Sequence, residues 1–135
     1  MTSPRHERLI FAVAVAGQLA VLYWPQSVAA PGAVPYLDKG VHALVFGMVA
    51  FTGIRAGLPG GPLAAVLVAH AGLSEVVQGS LLAQRAADPW DAVADLGGTA
   101  LGLLGAMLGP RLCRRHARDP RPDVAERPPR GTLGA

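Results

Sequence analysis

Between Leu9 and Pro110 the chain carries eight charged side chains in 102 positions. A soluble globule of that size coats its surface with far more charge, so this stretch is not built to face water. The remaining charges crowd at the two ends: three in residues 1–8 and ten in 111–135. With 51% hydrophobic residues overall, a soluble enzyme, a coiled coil and a wholly disordered chain are poor readings. An integral membrane protein is the expectation.

A span takes about 20 mostly apolar residues at roughly 1.5 Å rise each. Four segments approach this, at about 9–24, 37–54, 62–82 and 89–108. Helices are required, because open strands would leave backbone groups unpaired in lipid. The expected architecture is therefore all-α: a bundle of four transmembrane helices over residues 9–110, preceded by a short terminus, 1–8. Pro25, Pro31, Gly32 and Pro35 punctuate the first loop, and Gly57, Pro59, Gly60 and Gly61 the second. Asp88-Pro89-Trp90-Asp91 reads as a helix start, with Asp88 as N-cap and Pro89 in the first turn. Gly109-Pro110 reads as the end of the last helix.

Four spans place Arg5, Arg8, Arg55 and the arginines from Arg111 to Arg130 on one face, with only Lys39 and Arg85 opposite. By the positive-inside rule both termini are expected in the cytoplasm. Tyr23, Trp24, Tyr36 and Trp90 then fall at the outer interface, where amphipathic rings prefer to sit. One alternative is a cleaved leader: Arg5 and Arg8, an apolar run, then Ser27-Val28-Ala29. Cleavage there would leave three spans in the same orientation. The Arg- and Pro-rich tail, 111–135, is expected to be disordered and to anchor the topology, with attraction to anionic lipid headgroups as its functional reading. Basic ends account for the pI near 9.8, so no nucleic-acid partner is called for. The lone Cys113 makes neither an intrachain disulfide nor a metal site.

Ionisable groups inside a span cost roughly 2.5–3.5 kcal/mol at a helix centre on insertion scales, so each needs a partner, water or a function. Here nearly all fall in the outer half. The second span opens with Asp38, Lys39 and His42, spaced so that His42 can reach either neighbour. The third carries Ser74, Glu75 and Gln78, with Glu75 roughly 10 Å below its outer end. The fourth carries Asp91 and Asp95, continued by a stripe of Gly98, Gly102, Gly105 and Gly109 that admits a close helix neighbour. Arg85 and Asp88 lie in the loop between the last two spans. These faces are expected to meet as a paired polar cluster open to the outside. Asp38 and Lys39 have a structural reading as interfacial residues, Asp88 as a cap, and His70 as a packing residue off the Glu75–Gln78 face. Glu75 is the candidate functional carboxylate. No phosphate-cradling glycine loop, nucleophile elbow or paired-histidine metal motif is present. His42 with Asp38 and Glu75 makes only a weak metal constellation, so neither metal nor cofactor is expected.

Asp38-Lys39-x-x-His42-x-x-x-Phe46, then Glu75-x-x-Gln78, then Arg85-x-x-Asp88-x-x-Asp91 and Gly98-x-x-x-Gly102 resemble the VanZ-like membrane proteins, in order and spacing, over about half the chain. Asp95 departs from a family pattern that often has Asn there. The resemblance implies a small multi-pass protein of the bacterial inner membrane, related to the cell envelope or to teicoplanin-type glycopeptide resistance. It also implies a binding site of Asp38, Lys39, His42, Glu75, Gln78, Arg85, Asp88 and Asp91, to which the polar cluster adds Asp95. The expected activity is binding of a lipid headgroup, a cell-wall precursor or an antibiotic. Two alternatives are a membrane-embedded enzyme with Glu75 as general acid or base, and an oligomeric transporter or proton relay using Glu75 and His42. Expected partners are membrane lipids and, through the Gly98/Gly102/Gly105 face, a second copy of the chain.

Overall fold

The computed structural model describes residues 3–23, 37–81 and 88–116, with side chains described for 3–23, 37–80 and 88–109. These residues form four helices: α1 (Pro4–Tyr23), α2 (Leu37–Arg55), α3 (Gly60–Leu81) and α4 (Pro89–His116). Each is long and apolar enough to cross a membrane, and no strand occurs among the described residues.

Local chemistry explains the boundaries. Pro4 opens α1 one turn earlier than the apolar run suggests, because proline suits the first helical position and Ser3 precedes it. The Ser3 carbonyl accepts from the His6 and Glu7 amides. Gly57 ends α2 with φ +92°, a conformation that disfavours side-chain-bearing residues. The Leu58 amide reaches the Gly53 carbonyl at 3.0 Å and the Gly57 amide reaches Ile54 at 3.0 Å, the paired bonds of a Schellman cap. Asp88 caps α4 as expected: its Oδ1 accepts from the Trp90 amide at 3.0 Å and its carbonyl from the Asp91 amide at 2.8 Å. The other end of α4 corrects the expectation. The helix runs through Gly109 and Pro110 to His116 rather than stopping there, so the first six residues assigned to a disordered tail are helical. Proline removes one backbone bond but leaves later ones available, and the next residues, Arg111 and Leu112, are good helix formers.

The helices alternate in direction. Glu7 of α1 meets Arg55 of α2 at 2.7 Å, pairing the start of one with the end of the other. Leu63 near the start of α3 lies against Gly53 near the end of α2. α2 and α4 run parallel, and they form the most closely packed pair. A Cβ on Gly98 would fall 2.0 Å from the Ala43 carbonyl oxygen, and one on Gly102 would fall 2.2 Å from that of Gly47. Both contacts are with backbone, which cannot swing aside, so only glycine permits this approach. Gly105 and Gly109 are not held this way; a Cβ on Gly105 would make ordinary contact with Phe51, and one on Gly109 would meet nothing within 4 Å. The part of the glycine face at Gly98 and Gly102 is thus covered within the chain.

Phe46, Val49 and Ala50 of α2 pack with Leu22 of α1 and with Leu63, Leu67 and Ala71 of α3 into the apolar core. Around it the burial pattern is inverted relative to a water-soluble domain. Among the described residues eight buried hydrophobics share the interior with nine buried polar or charged residues, while Val66, Val76 and Leu101 point outward. Outward apolar side chains are satisfied by hydrocarbon, and the interior is where polar groups can find partners.

Candidate functional site

At the end where α2 and α4 begin, three layers of polar side chains stack downward from the surface. The uppermost is set by the N-terminus of α4. Asp88 caps it and Asp91 occupies its first turn, so both carboxylates turn toward the first turn of α2. Lys39 answers them, donating to Asp88 Oδ2 at 2.6 Å and to Asp91 Oδ1 at 2.9 Å, with Asp38 at 3.6 Å. Asp38 itself is 60% exposed and takes only the edge of this network. The Lys39 ammonium, with help from the Trp90 amide, holds the Asp88 carboxyl below the usual carboxylate range.

Glu75 forms the middle layer. It reaches the cap of α4 rather than a side-chain cation: the Asp88 backbone amide donates to Glu75 Oε2 at 2.9 Å. Lys39 therefore positions Asp88, and Asp88 positions Glu75. The other oxygen of Glu75, Oε1, is buried and accepts no hydrogen bond from a described residue.

The deepest layer is His42 and Asp95, with Nδ1 and Oδ1 3.0 Å apart and both side chains buried. With Asp95 ionised, the imidazole donates from Nδ1; with Asp95 neutral, its carboxyl donates to Nδ1. His42 Nδ1 thus pairs across the bundle with Asp95, where helix-turn spacing had offered Asp38 or Lys39 as neighbours. Asp95 is fully buried, and its Oδ2, like Glu75 Oε1, has no hydrogen-bond partner among the described residues. His42, Glu75 and Asp95 each present one donor atom to a set lying within 4.8 Å of one another. The metal constellation weighed from sequence held Asp38 in the place that Asp95 occupies.

One of the named site residues falls elsewhere. Gln78 is turned to α1, donating from Nε2 to the Leu22 carbonyl at 3.1 Å, where it satisfies an acceptor in the last turn of that helix. Arg85 lies outside the described residues, as do Trp24 and Tyr36. His70 behaves as a packing residue: its Nε2 lies 3.1 Å from the Tyr23 hydroxyl and its ring 5.5 Å from that of Phe46. Trp90 is exposed at the start of α4, as an interfacial ring would be. Sequence reasoning missed Thr99, buried one turn below Asp95 with its hydroxyl unpartnered among the described residues, and Gln18, whose buried Nε2 is likewise unpartnered. Thr99 follows Asp95 by four positions, beside the glycine stripe, and that spacing was the available signal. It also missed Ser3 as the cap of α1 and the Glu7–Arg55 pair.

Fold and site define a four-helix, multi-pass membrane protein with a buried histidine–carboxylate cluster near one end. No family model, no curated protein and no solved structure matches the chain.

Proposed function

We propose that this is a VanZ-like protein of the bacterial cell membrane, with both termini in the cytoplasm. On this reading it acts at the cell envelope by binding a polar ligand from the extracytoplasmic side: a lipid headgroup, a wall precursor or a glycopeptide. The observation that carries the reading is the stack of Lys39, Asp88, Asp91, Glu75, His42 and Asp95 at the end of the bundle opposite Arg5, Arg8 and Arg55. A chain that needed only to hold four helices together had the glycine seam and Gln78 for that work; buried carboxylates with unused oxygens add cost without further packing. Among the described residues the carboxylates outnumber the cations here. A ligand therefore meets this site through a positive group of its own or through a cation held between them.

The test is identification, by mass spectrometry, of lipids and small molecules carried through purification by the intact protein and by Glu75→Gln. A ligand retained by the intact protein and lost from the folded variant supports binding at this site. The same set of bound species on both proteins removes it. Reporter fusions at Gln84 and Ala135 check the orientation: an extracytoplasmic signal at Gln84 and a cytoplasmic one at Ala135 are expected. An enzyme with Glu75 as general acid or base is the second reading, favoured by the single free oxygen of a carboxylate whose other oxygen is held in place. Product formation from the retained species, abolished by the same substitution, distinguishes it.

A further inference from the structure

We propose that His42, Glu75 and Asp95 hold a divalent transition-metal ion. The inference deepens the functional reading of this site and rests on it.

Three features of the cluster point the same way. The donor set is the first. One imidazole and two carboxylates from α2, α3 and α4 bring their ligand atoms within 4.8 Å of one another, a spread that one ion can draw together. The second is what remains unsatisfied. Asp95 Oδ2 and Glu75 Oε1 are buried acceptors, with Asp95 0% and Glu75 9% exposed, and no described residue donates to either. Buried acceptors left in that state call for a donor or a cation. Charge is the third. Lys39 is engaged with Asp38, Asp88 and Asp91, and among the described residues no ion pair other than that from His42 reaches Asp95 or Glu75. A divalent cation balances both carboxylates at once.

The surroundings are those of a held site. The Asp88 amide fixes Glu75 through Oε2 and leaves Oε1 to turn elsewhere. Asp88 is itself held by Lys39, an outer partner of the kind that orients metal-binding carboxylates. Mixed imidazole and carboxylate donors favour zinc, manganese or iron over calcium or magnesium, which prefer oxygen alone. Three protein donors also leave coordination positions for an oxygen of a ligand, so the ion would let an acid-rich site engage a phosphate or carboxylate group.

The experiment uses the full chain in detergent, passed over a chelating resin and titrated with Zn2+ and with Mn2+ near pH 7.5. Metal content of the unstripped protein is measured alongside. One equivalent per chain is expected for at least one ion, with affinity at least tenfold weaker in Glu75→Gln and Asp95→Asn and unchanged in Asp38→Asn. Should the site variants fail to fold, Co2+ on the intact protein decides: visible bands and an imidazole nitrogen signature support the site. No stoichiometric ion on the intact protein overturns the inference. So does equal binding by a folded His42→Gln/Glu75→Gln/Asp95→Asn triple variant, which would assign the ion to His6, Cys113 or His116. Higher stability of Glu75→Gln than of the intact protein, with no metal bound to either, shows carboxylates sharing a proton and also overturns it. A retained ligand without metal defeats this inference alone; bound metal without a retained ligand defeats the binding reading alone.

Discussion

The α2–α4 seam and the attachment of α1 solve the same problem by different means. Along the seam, two parallel helices approach until Gly98 and Gly102 touch the carbonyls of Ala43 and Gly47, and the upper turns are joined by Lys39–Asp91 and His42–Asp95. α1 is held instead through side chains: Leu22 in the core with Phe11, Ala14 and Val15 packed against it, the Leu22 carbonyl bound by Gln78, Tyr23 against His70, and Glu7 paired with Arg55 at the far end. Backbone contact tolerates no added atom, whereas side-chain contacts can adjust. The buried cluster belongs to the rigid seam, with Glu75 brought to it by α3. Precise placement of charge within hydrocarbon calls for that rigidity.

The contrast can be broken most directly at the glycines. Gly98→Ala is expected to cost at least the roughly 1–3 kcal/mol of ordinary overpacking, because the new methyl meets backbone. Gly97→Ala, one position away with nothing within 4 Å, is expected to be neutral or slightly stabilising. Unfolding of both variants in mixed micelles reads the difference; equal stabilities would mean the helices do not pack as described. Next comes the buried pair. His42→Ala leaves Asp95 buried without a partner and is expected to cost about 3–5 kcal/mol, with much of the loss recovered in His42→Ala/Asp95→Asn. Failure of the second change to rescue would show that the pair does not act as a unit.

The α1 side should respond far less. Arg55→Ala removes an ion pair whose arginine is 45% exposed, so a loss of about 0–1 kcal/mol is expected in the same unfolding measurement. The smallest effect concerns acid. The Asp88 carboxyl titrates below its ordinary value in the folded protein, so its pairing with Lys39 contributes fully above the ordinary carboxylate range. That contribution fades as pH falls through the lowered value, below about pH 4. Thermal unfolding across this range should show an acid-side slope that Asp88→Asn flattens, with no change between pH 6 and 8 attributable to Asp88.

Much of this was legible in one dimension. Eight charges in 102 positions impose four spans, because hydrocarbon tolerates nothing else. Asp88-Pro89 marks a helix start through its own local bonds, and the four-residue glycine spacing marks a close-packed face. For His42, helix-turn spacing offered Asp38 and Lys39, yet Asp38 is carried out to the surface at the helix end while Asp95 is carried inward by the glycine stripe. Glu75 could not be matched to its partner by side-chain type, since what holds it is a backbone amide.

Residue chemistry alone determined that the chain threads a bilayer and that most ionisable groups within its spans gather toward one end, since both follow from the cost of charge in lipid. Which groups touch was decided by the crossing of α2 and α4. Partners 53 positions apart meet only once two backbones lie in contact, and that contact sets their depth, their spacing and the oxygens left over.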